Sequence, residues 1–351
     1  MKNYYSDLDR RAFWKTGVVA PSHLTVPEIY QKKWEIGPDQ KIGTAGSCFA
    51  QHIARHLTQN GYRVLDVEPA PRGLSEVQHA AFGYGMYSAR YGNLYSARQL
   101  RQLVEAAFSD DPRPFLIWER EGRFFDAFRP TIEPNGFLSR DEVIEARRYH
   151  LRCVRRLFLE VDVFVFTLGL TEAWVHKESG QVVPLAPGIV AGEDRAQDYE
   201  FVNFSYGEVE ADFRAVMQML DDLRGRKRPL RYLLTVSPVP LTATASGQHV
   251  LAASTYSKSV LRAVAGWLCE TCDNVDYFPS YEIITNPAAR GTFFESNLRS
   301  VMTEGVEVVM NAFFAAHPPR LRREETGQRP TEVPANEDVQ CDEQMLEAFG
   351  R

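Results

Sequence analysis

The sequence predicts an α/β protein built on a doubly wound parallel sheet, and three observations carry that expectation. Short apolar segments alternate with amphipathic helical patterns along most of the chain. The segment 161–168 is apolar almost throughout, as in a strand covered on both faces. Four polar motifs, at Ser47, Gly169–Glu172, Ser237–Pro238 and Ser280–Glu282, each follow directly on such a segment. Sites in parallel sheets form at the strands' carboxyl ends, so one crevice is expected to gather all four.

With 351 residues, the chain suffices for one large domain with insertions or for two domains. Hydrophobic residues make up 44% and charged residues 25%, ordinary values for a folded protein. No apolar run is long enough to span a membrane, and residues 1–7 lack the apolar core of a signal peptide, so a cytoplasmic location is expected. Five scattered cysteines fit reduced thiols in that compartment. Cys269-Glu270-Thr271-Cys272 is a lone C-x-x-C without a second pair, which reads as free thiols rather than zinc ligands. A net charge of −6 argues against a nucleic-acid binder.

Residues 1–38 carry aromatic residues and prolines without periodicity and read as an arm packed across the domain. The first strand is expected at 40–45. It runs into Gly43-Thr44-Ala45-Gly46-Ser47-Cys48-Phe49-Ala50, where glycine permits a sharp turn before a helix over 48–59. That helix carries Phe49, Ile53 and Leu57 on one face and stops at Asn60-Gly61. Two readings of Ser47 stand here. It is either the helix N-cap or a nucleophile whose acyl group lies against the first helical N–H groups. The convergence of motifs at the strand ends favours the nucleophile.

A second strand is expected at 62–67, a glycine-rich loop at 69–95, a helix at 96–108 and a β-hairpin around Glu121-Gly122. Ser139-Arg140-Asp141-Glu142 matches a capping box, opening a helix that runs to a strand at 161–168. A second hairpin-like insertion lies around Ser179-Gly180. A helix at 208–223, the basic linker 224–228 and a strand at 231–236 follow. A long loop holding His249 then precedes a helix from about 255 to 269. The fifth strand is 275–278, and a last helix, capped by Thr303, reaches about 316. The resulting division is an arm at 1–38, an α/β domain at 39–317 with insertions near 112–138 and 174–205, and a tail at 318–351 whose residues 341–349 form a short docked helix.

The string Gly46-Ser47-Cys48-Phe49-Ala50 resembles the signature of the GSCFA family, which is related to the SGNH, or GDSL-like, hydrolases. The resemblance continues through Thr235-Val236-Ser237-Pro238-Val239, Tyr256-Ser257-Lys258 and Tyr277-Phe278-Pro279-Ser280-Tyr281-Glu282-Ile283, so it spans most of residues 40–315. It implies a three-layer, flavodoxin-like α/β/α sandwich with five parallel strands and Ser47 as the nucleophile of an esterase or acyltransferase. The backbone at Cys48, with Gly92-Asn93 and the turn Gly169-Leu170-Thr171-Glu172, matches the places that hold an oxyanion in the wider group. Ser237 falls at the end of the next strand. Glu172 stands near where that group carries Asn or Asp. Where such enzymes carry Asp-x-x-His, this chain has Asn297-Leu298-Arg299-Ser300. Ser300 is no base near neutral pH, and Asn297 cannot hold an imidazolium as a carboxylate would.

Either the base comes from elsewhere among eight histidines or the chain is not a hydrolase. His249, on the loop after the fourth strand, is the first candidate, His79 the second and His52 the third. Glu282 or Glu172 would orient it. His52 and His56 have metal-ligand spacing but no third ligand, and no metal is expected.

Two functions follow. In the first, Ser47 accepts an acyl group from a small-molecule or glycan ester, and water or a sugar hydroxyl takes it on, as in polysaccharide modification. No cofactor is required beyond an acyl donor such as acyl-CoA. In the second, the chain is a binding or assembly protein that keeps the crevice without the base. In that case Arg148, Arg152, Arg155 and Arg156, along one helix face, would hold an anionic ligand unless they are simply solvated.

Overall fold

The computed structural model describes residues 3–110, 113–225, 229–319 and 342–350. The basic linker at 224–228, the start of the insertion at 112–138 and most of the tail lie wholly or partly outside these residues.

In chain order the elements are β1 (Ile42–Gly46), α1 (Phe49–Gln59), α2 (Glu76–Ala81), α3 (Ala97–Phe108), the strands β2 (Ile117–Arg120) and β3 (Arg123–Asp126), and α4 (Arg140–Glu160). Then come β4 (Val163–Leu168), β5 (Glu172–His176), β6 (Val182–Val183), β7 (Tyr199–Asn203), α5 (Tyr206–Arg224) and β8 (Arg231–Val236). The last are α6 (Val250–Thr271), β9 (Val275–Tyr277), α7 (Ser280–Thr285) and α8 (Thr303–Ala316). Strands β1, β4, β8 and β9 form a parallel sheet in the order β1-β4-β8-β9, with helices on both faces.

Alternation along β4 shows how the sheet is covered. Phe164, Phe166 and Leu168 join the core beneath α3 to α6, while Val163 and Val165 pack with Phe49, Ile53 and Leu57 of α1 and Val309 and Phe313 of α8. Both sets are buried because successive side chains leave a strand on opposite faces. The arm is pinned on the α8 side: Tyr30 is buried, and its hydroxyl donates to Asp276 Oδ2 at 2.9 Å and lies 3.2 Å from His317 Nε2. Further out along the arm, Tyr4, Tyr5 and Trp14 are exposed.

The five-stranded expectation requires correction, since the central sheet has four strands. Residues 62–67 make only a parallel bridge, Val64 to Ile42. Beyond it the edge of β1 is taken by the glycine-rich loop: Thr44 N donates to Ser88 Oγ at 2.9 Å, and Leu94 N donates to Gly46 O at 2.9 Å. A ladder cannot extend where another segment already holds the edge groups. Helix α6 also starts earlier than periodicity suggested, at Val250, with His249 as its N-cap. At the start of α8, Met302 rather than Thr303 is the cap.

Both insertions are antiparallel. β2 and β3 pair as a hairpin, and β6-β5-β7 form a three-stranded sheet. They share a small core of their own, in which Trp118 donates from Nε1 to the Tyr199 hydroxyl at 2.9 Å. Ser139 caps α4 as expected by accepting from Glu142 N, but Glu142 Oε2 accepts from Leu138 N, one residue before the cap.

Candidate functional site

The chain crosses from β1 to α1 over the end of β4, and glycine is what allows it. Gly46 has φ of 138°, and a Cβ built there would lie 2.5 Å from the Thr167 carbonyl oxygen. Ser47 is then held against that end, its N–H donating to Thr167 O at 3.1 Å. On the other side Gly169 passes so closely that a Cβ on it would sit 2.9 Å from Ser47 Cβ. Ser47 is 1% exposed. Its Oγ has no hydrogen-bond partner among the described residues. The capping reading is not what the structure holds, because the N-cap of α1 is Cys48 and no side chain caps that end. A buried hydroxyl without a partner is uncommon and asks for a function.

Asn93 lies in the loop that covers β1, and its neighbours fix its orientation. The Tyr87 hydroxyl is 2.6 Å from Asn93 Oδ1 and 3.1 Å from Ser47 O, and it accepts from Gln51 Nε2 at 3.3 Å. With its carbonyl turned to Tyr87, Asn93 donates from Nδ2 to Asp342 Oδ2 at 3.0 Å. Asp342 belongs to the short 3₁₀ helix Asp342–Phe349 of the tail and also accepts from Thr131 Oγ1 at 2.9 Å. Burial pushes its carboxyl up, against the two hydrogen bonds. Its neighbour Glu343 pairs with Arg299 at 3.1 Å, so the tail seats two buried carboxylates beside the loop that presents Asn93.

Buried groups also hold the turn after β4. Gly169 and Leu170 both donate their N–H to Tyr95 O, at 2.9 and 3.0 Å. The Gly169 carbonyl accepts from Lys258 Nζ at 2.7 Å, and Thr171 N donates to Ser257 Oγ at 3.0 Å. Thr171 Oγ1 donates to Asn203 Oδ1 at 2.7 Å. Lys258 is 3% exposed and puts an ammonium group against the backbone that touches Ser47. Ser237 is buried too, its N–H on Leu168 O at 2.9 Å, and its Oγ accepts from Val239 N at 3.3 Å.

No histidine among the described residues hydrogen-bonds the Ser47 hydroxyl, His249, His79 and His52 included. His249 is exposed, and its Nδ1 accepts from Leu251 N at 3.2 Å. His79 is half-buried in the last turn of α2. His52 sits against Phe49 on α1, where burial, with Arg55 and His56 nearby, lowers its pKa to about 3. Glu172 is half-buried, accepts from Thr244 Oγ1 at 2.7 Å, and so anchors the loop leading to His249. Burial raises its pKa. Glu282 pairs locally instead: Oε1 accepts from Arg262 Nε and Oε2 from the Tyr277 hydroxyl at 2.8 Å.

The stretch in place of Asp-x-x-His closes on itself. Asn297 Nδ2 donates to Ser300 Oγ at 3.0 Å, and Asn297 Oδ1 accepts from both Arg299 N and Ser300 N at 2.9 Å. Of these residues only Arg299 is buried, with its Nε on Pro240 O at 3.2 Å. The arginines of α4 are engaged piecemeal on an exposed face, Arg148 with Glu145 and Arg155 over the Phe108 ring.

Lys258, Tyr87 and Asp342 join the site without having been singled out as site residues. Lys258 had a signal in the string Tyr256-Ser257-Lys258. Asp342 had none, because its partner Asn93 is 249 positions away. Among the described residues no helix is long and apolar enough to cross a membrane, and no three His, Cys, Asp or Glu residues are grouped to hold a metal ion.

Comparison with curated proteins and with solved structures gives no significant match. The GSCFA family model matches residues 41–313, a span that starts at β1, takes in all four strands of the central sheet and ends in α8. The chain belongs to the GSCFA family.

Proposed function

We propose that the chain is a serine-dependent esterase or acyltransferase of the SGNH-like type, with Ser47 as its nucleophile. The observation that carries this reading is the Ser47 hydroxyl, buried at a strand end, without a hydrogen-bond partner among the described residues and not spent on the helix cap. The Val64 bridge on the outer side of β1 supports a flavodoxin-like strand order. In the reaction Ser47 Oγ attacks the acyl carbon of an ester while its proton passes to a base. Backbone N–H groups at the start of α1, with the Asn93 amide, stabilise the oxyanion, and the alcohol leaves with the proton. The acyl-enzyme then passes its acyl group to water or to the hydroxyl of a small molecule or a cell-surface glycan. In the transferase form the donor is an acyl thioester such as acyl-CoA.

His249 remains the first candidate for the base. A base with a pKa near 3 is poorly matched to neutral pH, which weighs against His52. Glu172 is the carboxylate tied to the His249 loop, so it is the better candidate to orient the imidazole. Replacing His249 by Ala is expected to lower the acylation rate by about 10²–10⁴-fold and, because its Nδ1 also caps α6, to cost about 1 kcal/mol of stability. A loss under about tenfold, with a large loss in His79→Ala or His52→Ala, would move the role to that residue.

The second reading is a binding or assembly protein, favoured by the closure of Asn297 on Ser300 and by the lack of any histidine on Ser47. If none of the three histidine variants loses activity, that reading is preferred.

Because Asp342 holds the Asn93 amide, its contact competes with the oxyanion. Asp342→Ala is expected to raise the acylation rate by about threefold or more, since a charge-assisted hydrogen bond must otherwise be broken first. A fall in rate would make Asp342 part of the machinery instead.

A further inference from the structure

The tail helix Asp342–Phe349 is not seated by its apolar side chains. Its buried residues are Asp342 and Glu343, at 5% and 6% exposure, whereas Met345 and Phe349 are 40% and 68% exposed. None of its residues joins a hydrophobic core among the described residues. A helix that docks for stability buries its apolar face and leaves its acids in water. Here the acids are what the rest of the chain holds, as a binding site holds a ligand.

Three residues from distant parts of the chain make the seat. Asn93 Nδ2 and Thr131 Oγ1 donate to the two carboxylate oxygens of Asp342, at 3.0 and 2.9 Å, and Arg299 Nη2 donates to Glu343 Oε2 at 3.1 Å. Arg299 is itself held on the carbonyl of Pro240, just after β8. Asn93 stands beside β1, where the Tyr87 hydroxyl joins it to the Ser47 carbonyl. The segment therefore bridges the ends of β1 and β8, and Ser47 lies at 1% exposure on the β1 side. Burying two carboxylates offsets most of the gain from their hydrogen bonds, so the seated state is held by a modest margin.

We propose that Asn93, Thr131 and Arg299 form a binding site for an acidic peptide, that the chain's own Asp342-Glu343 fills it, and that the filled site closes access to Ser47. That the closure inhibits a reaction rests on the reading of Ser47 as nucleophile; the seat and the closure do not. The test uses the full chain carrying Asp342→Lys and Glu343→Lys, which sets two ammonium groups against Arg299 and empties the seat. A peptide of residues 342–350, acetylated at its N-terminus and carrying fluorescein at its C-terminus, is titrated and followed by anisotropy. It is expected to bind this variant at least about tenfold more tightly than the wild type, where the tethered tail competes at an effective concentration of about a millimolar. The same peptide with Asn and Gln in place of the two acids should bind neither protein. Access is read separately from chemistry by Ser47→Cys, whose alkylation by iodoacetamide is located by tandem mass spectrometry. Alkylation should run at least about tenfold faster with the two lysine substitutions than without them, and slow again when the peptide is added. Should the reversed charges disturb the fold, Asp342→Asn with Glu343→Gln carries the same expectations. Equal peptide binding to variant and wild type, binding that survives loss of both acids, or one alkylation rate in all three states would overturn the proposal.

Discussion

Ser47→Ala is expected to lose at least about 10³-fold in the hydrolysis of a generic acetyl ester while melting at the same temperature as the wild type or slightly above it. Both halves follow from one feature. The hydroxyl has no hydrogen-bond partner among the described residues, so its removal breaks no hydrogen bond there and removes the desolvation cost of a buried polar atom. A structural serine would behave in the opposite way, since losing a cap destabilises by about 1 kcal/mol and leaves catalysis alone. Ester hydrolysis by both proteins, measured beside their thermal melts, separates the two cases. Equal rates would remove Ser47 from the mechanism.

Gly46→Ala is expected to cost about 3 kcal/mol or more of folding stability, the largest effect of any single methyl group at this site. The added Cβ would lie 2.5 Å from Thr167 O and 2.7 Å from Thr167 N, both backbone atoms of the paired strand. Neither can rotate away, and Gly46 and Thr167 are register partners, so relief must separate β1 from β4. Gly180→Ala is the control, with a positive φ of 67° and nothing within 4 Å of its Cβ. It should cost only the backbone penalty of about 1–2 kcal/mol. Urea denaturation of both variants checks the claim. A Gly46→Ala cost no greater than the control would mean that the two strand ends are not packed as described.

Much of this architecture could be read from the chain because local pattern and tertiary burial agree. Strands β1, β4, β8 and β9 are short apolar runs followed by turn residues, and the helices α1, α3 and α4 carry apolar stripes bounded by polar starts. The segment 62–67 has the same apolar pattern, yet the groups it would need on β1 are taken by Ser88 and Leu94, a long-range competition that no local pattern records. His249 failed as a free loop residue for a similar reason: the helix extends five residues further toward the N-terminus and uses it as a cap.

The site divides in the same way. The placement of Ser47 was legible because glycine at 46 and 169 is demanded by close backbone approach, and both lie in short motifs at strand ends. The hydrogen bond of Asp342 to Asn93 and the buried group of Glu68, Asp126, Arg129, Arg147 and His150 were not legible. Such charges are expected on the surface and go inside only when partners distant in sequence compensate them. His150 shares the buried face of α4 with Val143, Val154 and Leu157, yet its Nδ1 lies 2.7 Å from Glu68 Oε2.

The central claim is that Ser47 is a nucleophile, and covalent labelling by an organophosphonate, read by peptide mass spectrometry, tests it most directly. The measurement uses the wild type, Ser47→Ala and Asp342→Ala, the last to open the contact on Asn93. An adduct on the peptide containing Ser47, absent from Ser47→Ala and formed faster in Asp342→Ala, is the predicted result. No adduct in either serine-bearing protein at any pH from about 6 to 9, or an adduct that persists in Ser47→Ala, would contradict it.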